Sequence, residues 1–257
     1  MPRFAANLTM LFQEVPFLER FALAREHGFQ FVEYLFPYAY PAEQLKQQLK
    51  THQLQQVLFN LPAGDWSQGE RGIACLPSRR NEFLNGIETA INYATLLDVK
   101  QVNCLAGIQA SHIDSTAQWA CLIENLRYAH TTLANEGIQL VFEAINSKVD
   151  MPGFFIDSLE KSQRVLNEVP GIKFQFDIYH MQVMHGDILR NIEKFLPHIA
   201  HIQFADNPGR HEPGTGELNF PTIFKQLNKL GYNGFTAAEY FPKSTTERSL
   251  DWLKDNH

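Results

Sequence analysis

Residues 139–143 read QLVFE, an apolar run that ends in a carboxylate, and related runs recur as IKFQFD (172–177), IAHIQ (199–203) and FTAAE (235–239). Each run has the length of a β-strand and ends in a residue that can hold a metal or move a proton: Glu143, Asp177, Gln203 and Glu239. Burying a carboxylate at a strand end costs free energy unless a cation or a proton-sharing group lies beside it. One such acid alone would favour a salt-bridged surface position, but four residues in register predict one shared site.

On both sides of these runs, the chain alternates short apolar segments with longer amphipathic ones. The predicted strands cover residues 3–8, 31–35, 55–61, 101–105, 139–143, 172–177, 199–204 and 234–239. The predicted helices cover residues 17–27, 41–51, 78–97, 115–135, 158–169, 187–196, 221–230 and 244–254. Asp187 is the predicted N-cap of the helix at 187–196, which precedes the seventh strand. Strands that alternate with helices indicate a parallel sheet.

Eight strand–helix units in 257 residues, with no composition break, predict a single (β/α)8 TIM barrel over residues 1–257. A doubly wound open sheet is the competing architecture. We disfavour it because no Gly-x-Gly-x-x-Gly turn follows the first strand. In a barrel of this kind the active site lies at the carboxyl ends of the strands, which is where the four run-ending residues fall.

Composition narrows the class of protein. The chain is 44% hydrophobic and carries a formal charge of −6, which fits a globular protein and disfavours a nucleic-acid surface. Cys75, Cys104 and Cys121 are too few and too irregularly spaced for a disulfide framework. Residues 1–15 lack the features of a signal peptide, and no apolar run approaches the ~20 residues that span a bilayer. We therefore expect a cytoplasmic protein with no membrane or nucleic-acid partner; a homo-oligomer is left open.

The chemistry of the strand ends indicates a hard metal ion. Three carboxylates and one neutral amide oxygen suit Mg2+ or Mn2+ better than Zn2+, which prefers nitrogen and sulfur ligands. The sequence leaves the identity of the metal and its necessity open.

Three further side chains are candidates for binding a substrate. His180 follows Asp177 by three residues, in a predicted loop, and could polarise a carbonyl. Arg210 lies in a loop dense in turn residues and could pair bidentately with a substrate carboxylate. Arg71 lies in the long loop at 62–77, which could supply a second cation or a lid. For each of these three residues the alternative is an ordinary solvated loop position. Glu33, at the end of the second predicted strand, could equally be a pocket residue or a buried structural acid.

Several stretches carry a family resemblance. They are RFAANL (3–8), GERGIA (69–74), VNCLAG (102–107), FDIYHMQ (176–182) and GRHEPGTGE (209–217), of which the last two are the most specific. On these motifs the chain resembles the hydroxypyruvate isomerase family, within the xylose isomerase-like barrel superfamily that also includes sugar epimerases and endonuclease IV. The resemblance extends over nearly the whole chain.

The resemblance implies roles for individual residues. It implies that Glu143 and Glu239 are the catalytic acid/base pair and that Glu143, Asp177, Gln203 and Glu239 are metal positions. It also implies that His180 and Arg210 contact the substrate. Ketose epimerases of the superfamily carry histidine where Gln203 stands here, and a neutral oxygen in place of an imidazole should weaken the binding of borderline metals.

The implied reaction interconverts hydroxypyruvate and tartronate semialdehyde through an enediolate. A 2-oxo-tetronate isomerase or a ketose 3-epimerase would use the same glutamate pair and stays open as an alternative. A metal-dependent endonuclease would need histidine-rich zinc ligands and a basic face, which the composition disfavours. The intact glutamate pair disfavours a non-catalytic sugar-acid binding protein.

Overall fold

The strands form one closed sheet. The computed structural model describes residues 2–254, and within that range eight parallel strands close into a barrel in chain order, with β8 pairing β1. The strands are β1 (Arg3–Asn7), β2 (Phe31–Glu33), β3 (Gln55–Asn60), β4 (Gln101–Cys104), β5 (Gln139–Glu143), β6 (Lys173–Asp177), β7 (Ile199–Phe204) and β8 (Phe235–Ala238). The predicted (β/α)8 barrel is therefore confirmed.

Helices cover the outside of the barrel and connect the strands. They are α1 (Arg20–Glu26), α2 (Ala42–Thr51), α3 (Arg80–Leu97), α4 (Ser115–Asn135), α5 (Leu159–Glu168), α6 (Ile178–Met184), α7 (Ile188–Phe195), α8 (Phe220–Lys229), α9 (Thr246–Ser249) and α10 (Asp251–Lys254). The predicted helix at 17–27 begins as a 3-10 turn at Phe17–Glu19, and the predicted helix at 244–254 is split into α9 and α10.

Two local predictions were wrong. His180 lies in helix α6 and not in a loop, because the Asp177 carboxylate accepts hydrogen bonds from the backbone N–H groups of Tyr179 and His180 and starts the helix directly at the strand end. Asp187 precedes α7 but makes no side-chain capping bond, since its own backbone lies in the left-handed region with φ 47°.

The barrel interior changes character along the strands. A small apolar cluster drawn from strand residues fills one part of it: Ala5, Val57, Leu58, Val141, Phe235 and Ala237. Toward the carboxyl ends the buried residues become polar: Asn7, Glu33, Asn60, Asn103, Glu143, Asp177 and Gln203. A much larger apolar core lies between strands and helices and includes Cys75 and Cys104. The third cysteine, Cys121, is also buried but lies outside this cluster. The buried polar residues therefore lie at the carboxyl end of the barrel, where barrels of this type have their active sites.

The connections after β3, β5 and β7 are long and lie at the carboxyl end of the barrel, as predicted. They carry Arg71, the 144–158 segment and Arg210, respectively. Among residues 2–254, no helix combines the length and the apolar character needed to cross a bilayer.

Candidate active site

A cavity of about 540 Å3 opens at the carboxyl end of the barrel. Five of the predicted site residues line it: Glu143, Glu239, His180, Arg210 and Arg71. The two others, Asp177 and Gln203, are 1% exposed. Asp177 lies 3.5 Å from two lining residues, His180 and Arg210, whereas Gln203 bonds to Glu33 and Gln175, which are not part of the lining. The barrel therefore brings together side chains that lie as far apart in sequence as Arg71 and Glu239.

Glu143, Asp177 and His180 form a tight group in which each residue offers a ligand atom within 4.8 Å of the others. The Nε2 atom of His180 lies 3.7 Å from Glu143 Oε1 and 3.5 Å from Asp177 Oδ2. Among the described residues, Asp177 Oδ2 is buried and has no hydrogen-bond partner. A buried carboxylate oxygen without a hydrogen bond is costly, so its free lone pairs mark a place where a ligand can bind.

His180 is fixed on its other side by a residue that the sequence did not single out. The Nδ1 atom of His180 lies 2.7 Å from the amide nitrogen of Asn146, which follows Glu143 by three residues. Burial lowers the pKa of His180 to about 4, although the nearby Asp177 carboxylate opposes this shift. The imidazole is therefore neutral near pH 7.

Arg210 brings a positive charge into this acidic pocket. Its guanidinium donates to Asp150 at 2.9 Å and to Glu239 at 2.7 Å, and it lies 3.5 Å from Asp177. Burial alone would lower the pKa of Arg210, but the surrounding carboxylates, Glu239 first, hold it above its ordinary value. Asp150, a further residue missed in the sequence, also accepts a hydrogen bond from Tyr179 at 2.9 Å.

The two glutamates share an unusual electrostatic setting. Burial raises the pKa of Glu143 well above its ordinary value, and the Asp177 carboxylate raises it further. Burial also raises the pKa of Glu239, with Arg210 opposing the shift. A carboxyl group with a raised pKa can hold a proton at a pH where an exposed glutamate cannot, which is what acid/base exchange requires.

Gln203 bonds to neighbouring side chains in the barrel. Its amide oxygen accepts from Gln175 at 2.5 Å, and its amide nitrogen donates to Glu33 at 2.7 Å. The Glu33 carboxylate also accepts from His201 at 2.7 Å and from Asn7 at 2.9 Å. These bonds anchor Glu33 within the barrel, away from the cavity lining, as expected for a buried structural acid.

Arg71 reaches the cavity from the loop after β3. Its guanidinium donates to the backbone carbonyls of Trp66 and Glu70 at 3.0 and 2.8 Å. It also lies 4.0 Å from the centre of the Trp66 ring, a cation–π distance. The loop that carries Arg71 is further pinned by the ion pair between Glu70 and Arg79.

The donor atoms fit a hard divalent ion in part. Glu143 and Asp177 supply two buried carboxylates. Asp177 Oδ2, which has no hydrogen-bond partner among the described residues, is an oxygen that such an ion would bind. Glu239 is instead bonded to Arg210. The structure thus places a Glu–Asp–His group where a metal could bind, a set that overlaps with the four predicted positions but differs from it.

The chain is similar in sequence to a known family and to individual isomerases. Residues 21–256 match the family described as "Xylose isomerase-like TIM barrel". Hydroxypyruvate isomerase from Escherichia coli K12 is 46% identical, with 98% of each chain covered. 2-Oxo-tetronate isomerase from Cupriavidus necator is 41% identical, covering 99% of this chain and 98% of the relative.

Solved structures agree with the fold. A Brucella melitensis protein whose structure is titled AP endonuclease, family 2, is 45% identical and superposes with a TM-score of 0.96, with 99% of each chain covered. A 3-keto-D-glucoside 4-epimerase from E. coli has a TM-score of 0.80 at 20% identity, covering 99% of this chain and all of the other, and supports the fold alone. Because both the family match and the full-length relatives agree, the chain belongs to the xylose isomerase-like TIM barrel family.

Proposed function

We propose that the protein is an isomerase that interconverts hydroxypyruvate and tartronate semialdehyde. The observation that carries the proposal is the pair of buried carboxyl groups, Glu143 and Glu239, that line one cavity and both have a raised pKa. The 46% identity to the E. coli hydroxypyruvate isomerase supports the choice of substrate.

The reaction moves a carbonyl between adjacent carbons and needs only proton transfers. One glutamate removes a proton from C3 of hydroxypyruvate, which gives an enediolate. The other glutamate delivers a proton to C2, while the hydroxyl proton passes from the C3 oxygen to the C2 oxygen. Glu143 and Glu239 exchange the roles of acid and base in the reverse direction, and each positioned group contributes about 10²–10⁴ in rate.

Binding and charge stabilisation fall to the other residues of the cavity. Arg210 is proposed to hold the substrate carboxylate, with Arg71 as a second cation, and His180 to contact a substrate oxygen. In the structure Arg210 is balanced by Glu239 and Asp150, so a substrate carboxylate would share a guanidinium that is already oriented.

A metal is the further part of the proposal. Mg2+ or Mn2+ would be held by Glu143 and Asp177 first, with Glu239 and the amide oxygen of Gln203 as the remaining proposed ligands. When bound, such an ion supplies positive charge that stabilises an enediolate. The Gln203 oxygen accepts one hydrogen bond from Gln175, which leaves it a second lone pair.

A four-carbon 2-oxo-tetronate is the second candidate substrate. A cavity of 540 Å3 lies in the range that accommodates drug-sized ligands, so a three-carbon acid fills only part of it. The 41% identity to the C. necator 2-oxo-tetronate isomerase favours the same candidate. A ketose 3-epimerase would use the same two glutamates.

The test is an isomerisation assay on the purified protein with hydroxypyruvate and with 2-oxo-tetronate, after chelation and after addition of Mg2+ or Mn2+. Glu136→Gln, at the exposed end of α4, is the matched control for Glu143→Gln. Turnover that returns with metal supports both the reaction and the metal; turnover unaffected by chelation retains the glutamates and rejects an essential metal. No turnover of either acid would overturn the proposal.

A further inference from the structure

Asn146 is held in a single orientation by the backbone around it. Its side chain is fully buried, and its amide oxygen accepts hydrogen bonds from the N–H groups of Val149 and Asp150 at 3.0 and 2.9 Å. A flipped amide would turn its NH2 group toward these two donors and lose both bonds. The nitrogen of the Asn146 amide must therefore face His180 Nδ1, 2.7 Å away.

This contact decides which ring nitrogen of His180 carries the proton. An amide NH2 group can only donate, so His180 Nδ1 must accept. A neutral imidazole that accepts at Nδ1 has its single N–H at Nε2. The other polar group near Nδ1, Asp150 Oδ2, lies 3.9 Å away and is already bonded to Arg210 at 2.9 Å, so it does not compete for a proton on Nδ1.

The Nε2–H group then points into the acidic part of the site. Its nearest carboxylate oxygens, on Asp177 and Glu143, lie at 3.5 and 3.7 Å, longer than a good hydrogen bond. The Nε2–H donor is held in place and can donate to an oxygen that binds closer than these two carboxylates. A nitrogen that carries a proton has no lone pair to offer a metal ion, although its position beside the two carboxylates would suit one.

We propose that Asn146 is a positioning residue that fixes His180 as the Nε2–H tautomer, so that His180 donates a hydrogen bond to a substrate oxygen and does not ligate a metal. The assignment of the tautomer stands on the hydrogen bonds alone. Its kinetic consequence rests on the proposed isomerase function, because the oxygen that receives the proton is that of the carbonyl or the enediolate.

The tautomer can be read directly on the full chain without substrate. Nitrogen-15 NMR of the ring nitrogens distinguishes a protonated from an unprotonated nitrogen, and His180→Asn identifies the signals among the ten histidines. We expect an unprotonated Nδ1 and a protonated Nε2 near pH 7, unchanged when Mg2+ is added. A protonated Nδ1, or loss of the Nε2 proton on addition of Mg2+, would overturn the proposal whatever reaction the protein catalyses.

Asn146→Asp tests the same contact by reversing it. The aspartate keeps an oxygen for the two backbone donors but can only accept from His180, so the proton should move to Nδ1 and leave a lone pair on Nε2. We expect the NMR signals of Nδ1 and Nε2 to exchange character and kcat to fall about 10- to 100-fold. Unexchanged NMR signals in a folded variant would overturn the role of Asn146.

Zn2+ alone serves as a probe of the freed lone pair. Affinity measured by calorimetry should rise about 10- to 100-fold in Asn146→Asp, because an imidazole oriented by a carboxylate becomes a ligand. The added negative charge also attracts Zn2+, and the double variant Asn146→Asp/His180→Asn isolates this contribution. A gain that persists in full in the double variant would contradict the proposed exchange of tautomers.

Discussion

Glu33 and Asp177 both stand at the ends of strands, both are 1% exposed, and their surroundings differ. The two oxygens of Glu33 accept hydrogen bonds from three side chains, those of Asn7, Gln203 and His201. One oxygen of Asp177 accepts two backbone N–H groups of the following helix, and the other accepts none within the described part of the chain.

The comparison separates a structural acid from a candidate reactive one. A buried carboxylate that accepts hydrogen bonds at both of its oxygens stabilises the arrangement of its donors. A buried carboxylate with a free oxygen, close to a cation and an imidazole, has capacity left for a substrate or a metal. Position at a strand end is common to both and does not distinguish them.

The largest loss of activity is expected when either of the two cavity glutamates, Glu143 or Glu239, is replaced. Glu143→Gln or Glu239→Gln should lower kcat by about 10²–10⁴ because each removes a positioned acid/base. Both variants should remain folded because glutamine keeps the shape of the side chain, although at Glu239 the new NH2 group faces donors on Arg210 and Asn7 and should cost some stability. Near-native kcat in either variant would reject that residue's role, and Glu136→Gln serves as the control.

Asp177→Asn and Glu33→Gln should affect activity and stability differently. Asp177→Asn should lower kcat/KM by about 10² because a charged oxygen beside His180 and Arg210 is lost. Glu33→Gln should destabilise the fold by about 1–3 kcal/mol, since its new NH2 group faces donors.

The measurements for this pair are steady-state kinetics and urea unfolding on both variants. We expect a larger loss of activity in Asp177→Asn and a larger loss of stability in Glu33→Gln. The reverse ranking would contradict the distinction between the two acids.

Arg210→Ala should raise KM about 10- to 100-fold, as expected for a lost charge-assisted bond to the substrate carboxylate. Arg190→Ala, on the exposed face of α7, is the matched control and should leave KM unchanged. An unaltered KM in Arg210→Ala would remove Arg210 from the binding site.

The pH profile gives the smallest and most specific effect. The base must lose its proton, and burial raises the pKa of both Glu143 and Glu239 above 4.5. Activity should therefore fall, as the pH is lowered, at a midpoint above 4.5. Arg210 lowers the pKa of Glu239, so Arg210→Ala should move the midpoint to still higher pH; a midpoint that stays in place would contradict this coupling.

The sequence predicted the barrel well because the signal is periodic and local. The bounds of α4, β5 and β7 agree with the structure residue for residue. His180 was placed in a loop because one capping carboxylate, Asp177, starts α6 with no connecting segment. That short helix has no apolar repeat long enough to be recognised.

The site was only partly predictable for a different reason. Strand ends indicated Glu143 and Glu239 as cavity residues, but Asn146 and Asp150 lie in an irregular segment without a pattern. The bond from His201 to Glu33 joins residues 168 positions apart, so only the closed barrel reveals it.

The proposed reaction requires two carboxyl groups to carry protons between adjacent carbons, and isomerisation of hydroxypyruvate in deuterated water is the direct test of this requirement. Proton NMR would follow deuterium at C2 of tartronate semialdehyde and at C3 of hydroxypyruvate. We expect the wild-type protein to incorporate solvent deuterium, and Glu143→Gln and Glu239→Gln to lose this exchange together with turnover. Isomerisation with no deuterium at either carbon would indicate direct transfer of hydride between C3 and C2 and would contradict the account.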